Sequence, residues 1–345
     1  MTIDSMTTIS KTAILLVNVG TPDEPKVKAV RRYLFQFLND RRVIDLPWLL
    51  QKILVNLIIV PFRAPKSTRL YQRLWTKDGS PLLYHSLQLQ EKLQKKVADK
   101  ADVFVAMRYQ NPSIRKATEA IHKAGYKKVV VLPMFPQYAS STNGTATQAV
   151  WDEMRKWNTL PDVVVINQFY NHPAFLDSFA EKISSYKPEI YDHLIFTYHG
   201  LPNRQLDKTH PGISNSTCTC ELALPEHGKL CYKATCYETT RQLVKRLGLK
   251  EGSYSTSFQS RLDNNWMTPF TDKNLMARAE AGATNLLVAA PSFVADCLET
   301  VVEIGYEYKE LFVEKGGKKL TMVESLNSDD RWVDALVEIL GPNLG

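Results

Sequence analysis

The chain has 345 residues, of which 44% are hydrophobic, and its net charge is +7. This composition excludes a disordered chain and predicts a large buried core that is divided between two domains. The sequence contains no run of about 18 uninterrupted apolar residues, and its first residues, MTIDSMTTISK, lack the charged-then-apolar pattern of a secretory signal. We therefore expect a cytoplasmic protein.

Most of the basic excess lies in the N-terminal third of the chain. Twelve Lys or Arg residues occur between Lys26 and Lys77, against two acids, Asp40 and Asp45. The same third holds an apolar run at 46–60, LPWLLQKILVNLIIV, which is too short and too interrupted to predict a bilayer span. It predicts either a core helix or an interfacial segment beside anionic headgroups. Nucleic acid is the weaker alternative and is not expected as a partner, because the cations lie beside bulky aliphatic residues and form no known binding motif.

Predicted strands and helices alternate along the chain. The first strand, Thr12–Val19, is a near-continuous apolar run that ends at Gly20, as a central parallel strand does. Further strands are predicted at 103–107, 129–132, 163–168, 193–197, 254–259 and 320–323, and helices at 27–38, 83–98, 114–124, 142–157, 173–184, 239–247, 273–281 and 330–340. This alternation predicts an α/β fold with parallel sheets.

A faint internal repeat suggests two similar lobes. Residues 124–135 and 281–293 each contain an Ala-Gly turn, an apolar strand, a Pro and a Phe. The alternative is that ordinary βα units share these features by chance. If the repeat is real, a cleft between the strand ends of two lobes is the expected site. The expected divisions are 1–160, 161–325 with a Cys-rich insertion at 211–236, and a C-terminal helix at 326–345 that packs back on the first lobe.

The segment Asn285–Tyr308 combines a buried strand with an acidic helix. It opens with an apolar run, passes through Pro291 and then takes on helical period. Four acids at steps of three, four and four residues share one predicted helix face: Asp296, Glu299, Glu303 and Glu307. The face is either a solvated acidic stripe or a line of oxygen ligands that leads a divalent cation to the edge of a sheet.

One histidine lies at a position where a catalytic base or a metal ligand could act. His199, in the segment IFTYHGLP, directly follows an apolar strand, and Gly200 and Pro202 force an immediate turn. The residue is a candidate base or ligand, with an ordinary surface histidine as the alternative.

The cysteines are unevenly distributed. Four of the five lie within nineteen residues in a C-x-C-x10-C-x4-C pattern: Cys218, Cys220, Cys231 and Cys236. In a cytosolic protein such clustering favours a metal site over disulfides, with unligated thiols as the remaining alternative. Cys297 stands apart and is expected to be a buried small residue that binds no metal.

Six short motifs occur in the order, and at about the intervals, that are found in ferrochelatases. They are NVGTP at 18–22, MRY at 107–109, FPQYASSTNG at 135–144, YHGLP at 198–202, FQS at 258–260 followed by Trp266, and the segment from Phe293 to Glu307. The sequence resembles that family from about Lys11 to Leu340. The resemblance implies two flavodoxin-like chelatase lobes with a porphyrin cleft between them. It also implies insertion of ferrous iron into protoporphyrin IX to form protohaem, the terminal step of haem biosynthesis.

The resemblance implies roles for individual residues. The family's essential histidine corresponds to His199 and its active-site glutamate to Glu299. Positions on the path of the Fe²⁺ substrate correspond to His199, Asp296, Glu299, Glu303 and Glu307. Positions around the porphyrin correspond to Val19, Arg108, Tyr109, Tyr138, Ser141, Trp266 and Phe293. Our hypothesis is that His199 is the first base, because a neutral imidazole accepts protons near neutral pH, and that Glu299 ends the metal path.

The resemblance also bears on the apolar run and the cysteines. The run at 46–60 corresponds to a hydrophobic lip at the pocket mouth, which membrane-associated members dock on the bilayer that supplies the porphyrin. Flanking cations, notably Arg41, Arg42 and Arg63, could meet lipid phosphates or porphyrin propionates. Because some microbial members carry a [2Fe–2S] cluster, its expected ligands are Cys218, Cys220, Cys231 and Cys236, with Zn²⁺ as the alternative.

Other functions remain open at this point. One is a related chelatase that acts on coproporphyrin or inserts cobalt. Another is a non-catalytic haem- or porphyrin-binding protein of the same fold, although a carrier needs neither a base nor a metal path. The oligomeric state is also open, since family members occur as monomers and as homodimers.

Overall fold

The computed structural model describes residues 12–210 and 212–344. The N-terminal segment on which the expectation about a secretory signal rests lies outside the described residues. The first half of the chain contains β1 (Thr12–Gly20), α1 (Val27–Leu38), α2 (Trp48–Ile53), α3 (Val60–Leu74), α4 (Pro81–Val97), β2 (Ala101–Tyr109), α5 (Ile114–Ala124), β3 (Lys128–Pro133), α6 (Thr145–Met154) and β4 (Asp162–Val165). These elements form the first lobe.

The first sheet is built around β1, whose apolar residues are almost all buried because both faces of the sheet are covered. Strands β2 and β3 flank β1, β4 pairs with β3, and every pairing is parallel. Since β4 ends at Val165, the first lobe extends past the boundary expected near Leu160. The sequence predicts where this strand lies along the chain but not which sheet it joins. Nothing in a short apolar run identifies the strand with which it pairs.

The second half of the chain forms the second lobe. It contains α7 (Pro173–Ser184), β5 (His193–His199), α8 (Asn203–Asp207), α9 (Tyr232–Leu247), β6 (Tyr254–Gln259), α10 (Thr271–Glu280), β7 (Asn285–Ala289), α11 (Lys309–Glu314), β8 (Lys319–Met322) and α12 (Asp330–Leu340). The order of the second sheet, β6-β5-β7-β8, repeats the order β2-β1-β3-β4 of the first. The repeated segments 124–135 and 281–293 supply β3 and β7, which hold equivalent positions. The predicted α/β fold with two parallel sheets is confirmed.

The two lobes share one hydrophobic core. Helix α12 joins them, because it packs on both α4 and α7. Lys92 and Lys96 of α4 pair with Asp330 and Asp334 of α12, each with a nitrogen–oxygen distance of 2.8 Å. The C-terminal helix thus contacts the first lobe while closing the second.

The apolar run at 46–60 lies at the start of a helix that is longer than the run itself. Helix α2, a π-helical segment at Leu54–Ile59 and α3 together form one helix, Trp48–Leu74, which we term the lip helix. Within the described ranges it is the single helix whose length and composition would allow it to cross a membrane, and 22% of its most apolar window is buried. Its buried side, including Val55 and Tyr71, packs against α1 and the second lobe. Its exposed side carries Trp48, Leu49, Leu50, Ile53, Leu57, Ile58 and Phe62.

Candidate active site

His199 is the last residue of β5 and is half-buried. Its Nδ1 lies 2.7 Å from the carbonyl oxygen of Gly200; a carbonyl can only accept, so Nδ1–H donates and Nε2 carries the lone pair. The rings of Trp266 and Phe293 lie 6.4 and 6.5 Å from the imidazole, centroid to centroid. A Cβ at Gly200 would lie 2.9 Å from the carbonyl oxygen of Gln259, so the turn after His199 needs glycine. The fold thus places a basic nitrogen beside two aromatic rings.

The acidic segment does not form the α-helix that its period predicts. Cys297 has an extended backbone and forms a capping box with Thr300, so the helix begins only at Leu298. From Leu298 to Tyr308 the hydrogen bonds are π-helical. A π-helix has more residues per turn than an α-helix, so side chains four residues apart lie almost above one another. The resulting carboxylate row consists of Glu299, Glu303 and Glu307, of which the first two are half-buried and the last is exposed.

Asp296 lies outside this row because it precedes the helix. Its Oδ1 accepts hydrogen bonds from the Thr300 hydroxyl and the Ser325 amide, both at 3.1 Å. Its Oδ2 accepts a hydrogen bond from the side-chain amide of Asn327 at 2.8 Å. The prediction that Asp296 shares a helix face with the three glutamates is wrong, because the extended Cys297 interrupts the period. Its hydrogen bonds tie the start of the helix to the chain after β8.

Glu303 is held by several donors. Ser260 donates its amide to Oε1 at 2.8 Å and its hydroxyl to Oε2 at 2.5 Å, and the Tyr308 hydroxyl donates to Oε1 at 2.8 Å. The side-chain amide of Gln259 donates to Oε2 at 3.3 Å. Burial raises the pKa of Glu303, while the hydrogen bonds from Ser260 and Tyr308 and the nearby His199 oppose that rise. These four hydrogen bonds fix the orientation of the Glu303 carboxylate.

A cavity of about 210 Å³ opens beside Glu303. It is lined by Phe258, Ser260, Arg261, Asp272, Glu303 and Tyr308. Arg261 pairs with Asp272 at 2.7 Å and lies over the ring of Phe270, with its guanidinium carbon 4.2 Å from the ring centroid. Since one water takes about 30 Å³ of liquid volume, the cavity has room for several waters next to Glu303.

Arg108 and Tyr109 converge on Asp40, which the sequence did not single out as a site residue. The Oδ2 atom of Asp40 accepts hydrogen bonds from Arg108 at 2.7 Å, Tyr109 at 2.9 Å and Thr145 at 2.5 Å. Burial would raise the pKa of Asp40, but hydrogen bonds from Thr145 and the Arg42 amide, with the charge of Arg108, hold it below its ordinary value. Tyr109 is fully buried, and its hydroxyl is bound to Asp40.

The remaining predicted porphyrin contacts lie on both lobes. Val19 and Phe293 are half-buried and pack against the same small cluster, which includes Cys297. Ser141 lies in a π-helical turn, Ser140–Gly144, that precedes α6, and Tyr138 lies two residues before that turn. The structure thus brings His199, Trp266 and Phe293 together on the second lobe, whereas Val19, Tyr138 and Ser141 lie on the first lobe.

Asp45 lies just before the lip helix and links this segment to the second lobe. Its Oδ1 accepts two hydrogen bonds from Arg204, at 3.0 and 2.5 Å, and its Oδ2 binds Lys208 at 2.7 Å. Gln205 also donates to the carbonyl oxygen of Val43 at 3.3 Å. Burial would raise the pKa of Asp45, but the hydrogen bonds and charges of Arg204 and Lys208 outweigh it and lower the pKa to about 2.

Replacing Asp45 with Asn is expected to lower stability at pH 7, because the two cations lose their counter-charge. The folded-state pKa lies below the unfolded value of about 3.9, so the wild-type advantage is fully present above pH ~4 and is lost as pH falls toward ~2. Urea unfolding of both proteins at a series of pH values measures this difference. A difference that did not change between pH 6 and pH 3 would contradict the assignment.

The four clustered cysteines are free thiols. Cys220 and Cys231 share a small buried cluster with Cys218 at its edge, and burial raises the pKa of Cys220 to about 12. Cys236 is fully buried in the main core. Thiolate donors suit Zn²⁺ or an iron–sulfur cluster. Within 12–210 and 212–344, however, no three Cys, His, Asp or Glu side chains surround one point as a metal ion requires. The donor chemistry therefore fits a metal, while the ligand atoms are not gathered around it.

Comparison with known sequences gives matches over nearly the whole chain. A family model described as Ferrochelatase matches residues 11–344. A ferrochelatase of Coxiella burnetii (strain Dugway 5J108-111) is 40% identical over 342 residues, which cover 97% of this chain and 94% of that protein. A ferrochelatase of Legionella pneumophila (strain Paris) is 38% identical over 333 residues, which cover 96% of this chain and 99% of that protein.

Solved structures share the fold at low sequence identity. SirB from Bacillus subtilis with Fe³⁺ has a TM-score of 0.55 at 10% identity, covering 97% of this chain and 96% of that one. CbiX, described as the terminal enzyme for biosynthesis of siroheme in denitrifying bacteria, has a TM-score of 0.50 at 10% identity, covering 96% and 100%. These two structures support the chelatase fold alone. With the family model and the relatives that match along its whole length, the chain belongs to the ferrochelatase family and is a metal chelatase.

Proposed function

We propose that this chelatase inserts Fe²⁺ into protoporphyrin IX to form protohaem. The observation that carries the proposal is the combination of a basic Nε2 on His199 with a carboxylate row whose inner members are Glu299 and Glu303. A carrier of haem or porphyrin needs neither feature. The exposed apolar side of the lip helix favours a poorly soluble dicarboxylic porphyrin over a highly carboxylated one.

The site contains the groups that this reaction needs. The porphyrin loses two pyrrole N–H protons as the dication enters, so the charges balance when both protons leave. In the proposed mechanism His199 Nε2 accepts the first proton, and a carboxylate of the row accepts the second and passes it to solvent. Glu299 ends the metal path, because carboxylate oxygens bind a hard cation and release it more readily than thiolates do. Trp266 and Phe293 grip the macrocycle, so that binding energy bends it.

An anaerobic insertion assay tests the proposal. Wild type and Glu299→Gln are assayed with Fe²⁺ or Co²⁺ and with protoporphyrin IX or coproporphyrin III. We expect the highest kcat/KM for Fe²⁺ with protoporphyrin IX, and little activity in the variant. Preference for coproporphyrin or cobalt would support the related chelatase instead. If wild type metallates neither porphyrin, the enzymatic proposal fails and a binding protein of the same fold becomes the better description.

We further propose that the lip helix docks on the cytoplasmic face of a membrane. Its exposed side includes Leu57, 68% exposed, and Phe62, 78% exposed, which a water-soluble surface seldom groups with five more large apolar residues. Arg41, Lys66 and Arg69 are exposed nearby and could meet anionic headgroups. A surface-bound enzyme would take up an insoluble porphyrin directly from the bilayer.

The double variant Leu57→Asp/Ile58→Asp is expected to bind vesicles containing anionic lipid at least ~10-fold more weakly. Leaving two large apolar side chains out of the lipid forfeits about 1.5–3 kcal/mol each at full burial, and ~1.4 kcal/mol is already tenfold. Co-sedimentation with the vesicles measures the partition coefficient. Leu160→Asp is the matched control, since Leu160 is 56% exposed but lies outside the lip helix. Equal partitioning of wild type and the double variant would contradict the docking proposal.

We also propose that the Cys-rich insertion holds a [2Fe–2S] cluster, with Zn²⁺ as the second candidate. The thiols that would hold either group are those of Cys218, Cys220, Cys231 and Cys236. A cluster would supply one-electron redox chemistry, whereas zinc would supply a structural crosslink. The visible absorption of protein purified without oxygen separates the two, because a colourless, zinc-containing sample would exclude the cluster.

A further inference from the structure

Gln259 is a buried polar residue to which the proposed mechanism gives no role. It is the last residue of β6, it is 1% exposed, and it lies opposite His199 in the pairing of β6 with β5. Its carbonyl oxygen accepts a hydrogen bond from the amide of Gly200 at 2.8 Å. The backbone of Gln259 therefore holds the turn that follows the proposed base.

Both ends of the Gln259 side chain also make hydrogen bonds. Nε2 donates to the carbonyl oxygen of Glu299 at 3.1 Å and to Oε2 of Glu303 at 3.3 Å. Oε1 accepts a hydrogen bond from the hydroxyl of Thr197 at 3.1 Å. One side chain thus joins strand β5 to the π-helix at two residues of the carboxylate row.

Thr197 determines the orientation of the Gln259 amide. Thr197 is fully buried, so its hydroxyl is shielded from solvent. The hydroxyl oxygen of Thr271 lies 2.8 Å away and can donate to it, which leaves the Thr197 proton for Oε1 of Gln259. A flipped amide would place Oε1 against the acceptor oxygens of Glu299 and Glu303, where neither side has a proton to donate.

Hydrogen bonds of this kind orient carboxylates that bind cations. Loss of such an outer partner typically lowers metal affinity or activity by about 10- to 100-fold. A displacement of ~1 Å at reacting groups can itself lower a rate by ~10²-fold. Because Gln259 contacts both the turn after His199 and the row, it links the position of the base to that of the carboxylates.

We propose that Gln259 is a positioning residue that holds the carboxylate row in register with His199, and that Thr197 acts through Gln259 by orienting its amide. The inference rests on the proposed function, in which His199 accepts a proton and the row conducts the metal. Gln259 acts through these groups and not on the substrates themselves.

Variants that keep the shape of each side chain test the proposal. Gln259→Met removes both side-chain hydrogen bonds, and Thr197→Val removes the one that orients the amide. Gln94→Met is the matched control. Gln94 also uses both ends of its amide, which bind Ala101 and Val103 at the start of β2, away from the carboxyl ends of the strands. Urea unfolding measures the stability that each substitution costs.

Two further measurements separate positioning from stability. Anaerobic initial rates with protoporphyrin IX give kcat/KM for Fe²⁺. Electron paramagnetic resonance titration with Mn²⁺, a cation that suits carboxylates, measures binding to the row without porphyrin, and Glu303→Gln identifies the signal from the row. We expect Gln259→Met to lower kcat/KM and Mn²⁺ affinity by about 10- to 100-fold, and Gln94→Met to change neither.

Thr197→Val should act in the same direction and more weakly. The double variant should match Gln259→Met alone, because Thr197 acts through Gln259. Additive effects of the two substitutions would overturn this coupling, and equal losses in Gln259→Met and Gln94→Met would overturn the positioning role. If wild type binds Mn²⁺ with the expected dependence on Gln259 but metallates no porphyrin, the proposed function fails while the positioning of the row stands.

Discussion

Replacing His199 with Ala is expected to lower kcat for metal insertion by about 10²- to 10⁴-fold, the range typical of removing a positioned proton acceptor. The Nδ1 hydrogen bond to Gly200 orients the ring, and Nε2 is the nitrogen left to act as a base. The KM for the metal should change little, because Glu299 remains in place and so does Glu303 with its hydrogen-bond donors. Anaerobic initial rates over a range of Fe²⁺ concentrations separate kcat from KM.

Two further variants sharpen this prediction. Glu299→Gln preserves the shape of the side chain but removes its charge, so the KM for the metal should rise. His122→Ala removes an exposed histidine far from the cleft and should leave both constants unchanged. If His199→Ala instead released protons nearly normally but had lost its affinity for iron, the roles assigned to His199 and Glu299 would be wrong.

Much of the fold could be predicted because the apolar content of each strand reflects how deeply that strand is buried. The run that forms β1 is almost entirely apolar since the strand is covered on both faces, and β3 and β7 show the same property. The sheet to which each strand belongs is harder to predict. The sequence predicts the position of β4 along the chain but places the strand in the second lobe, because pairing with β3 depends on tertiary contacts that local sequence does not encode.

The site likewise contains residues whose positions the sequence predicts and residues whose positions it does not. His199 could be singled out because the turn residues after it are visible in sequence. The predicted helix type is wrong, but Glu299, Glu303 and Glu307 still form a row. A four-residue spacing keeps side chains on one side of the helix in both α- and π-helices. Asp296 did not, because nothing in the period reveals that Cys297 is extended.

Asp40 and Asp45 make contacts that the sequence does not predict. They are the two acids among the twelve cations between Lys26 and Lys77, yet their partners lie at distant positions in the sequence. Asp40 binds Arg108, and Asp45 binds Arg204 on the other lobe. The sequence holds a signal, an isolated acid in a basic segment, but it does not identify the partner.

One large side chain is buried where the two lobes meet. Trp332, on α12, is fully buried, and its ring lies 5.9 Å from that of Phe169 and 6.0 Å from that of Phe175, centroid to centroid. Its Nε1 is buried without a hydrogen-bond partner among the described residues. The ring therefore contributes through packing, and its N–H detracts from that contribution.

Trp332→Ala is therefore expected to lower the free energy of unfolding by about 3–5 kcal/mol, because a large cavity would form where α12 meets α4 and α7. Trp332→Phe keeps an aromatic ring and removes the unpartnered N–H, so its cost should stay below about 1.5 kcal/mol. Trp151→Ala is the control, since Trp151 is 40% exposed and lies in α6, away from this junction. Urea unfolding followed by far-UV circular dichroism measures all three. A Trp332→Ala protein within ~1 kcal/mol of wild type would mean that α12 unfolds separately from the shared core, and the two lobes would then be held together by the packing between their own helices.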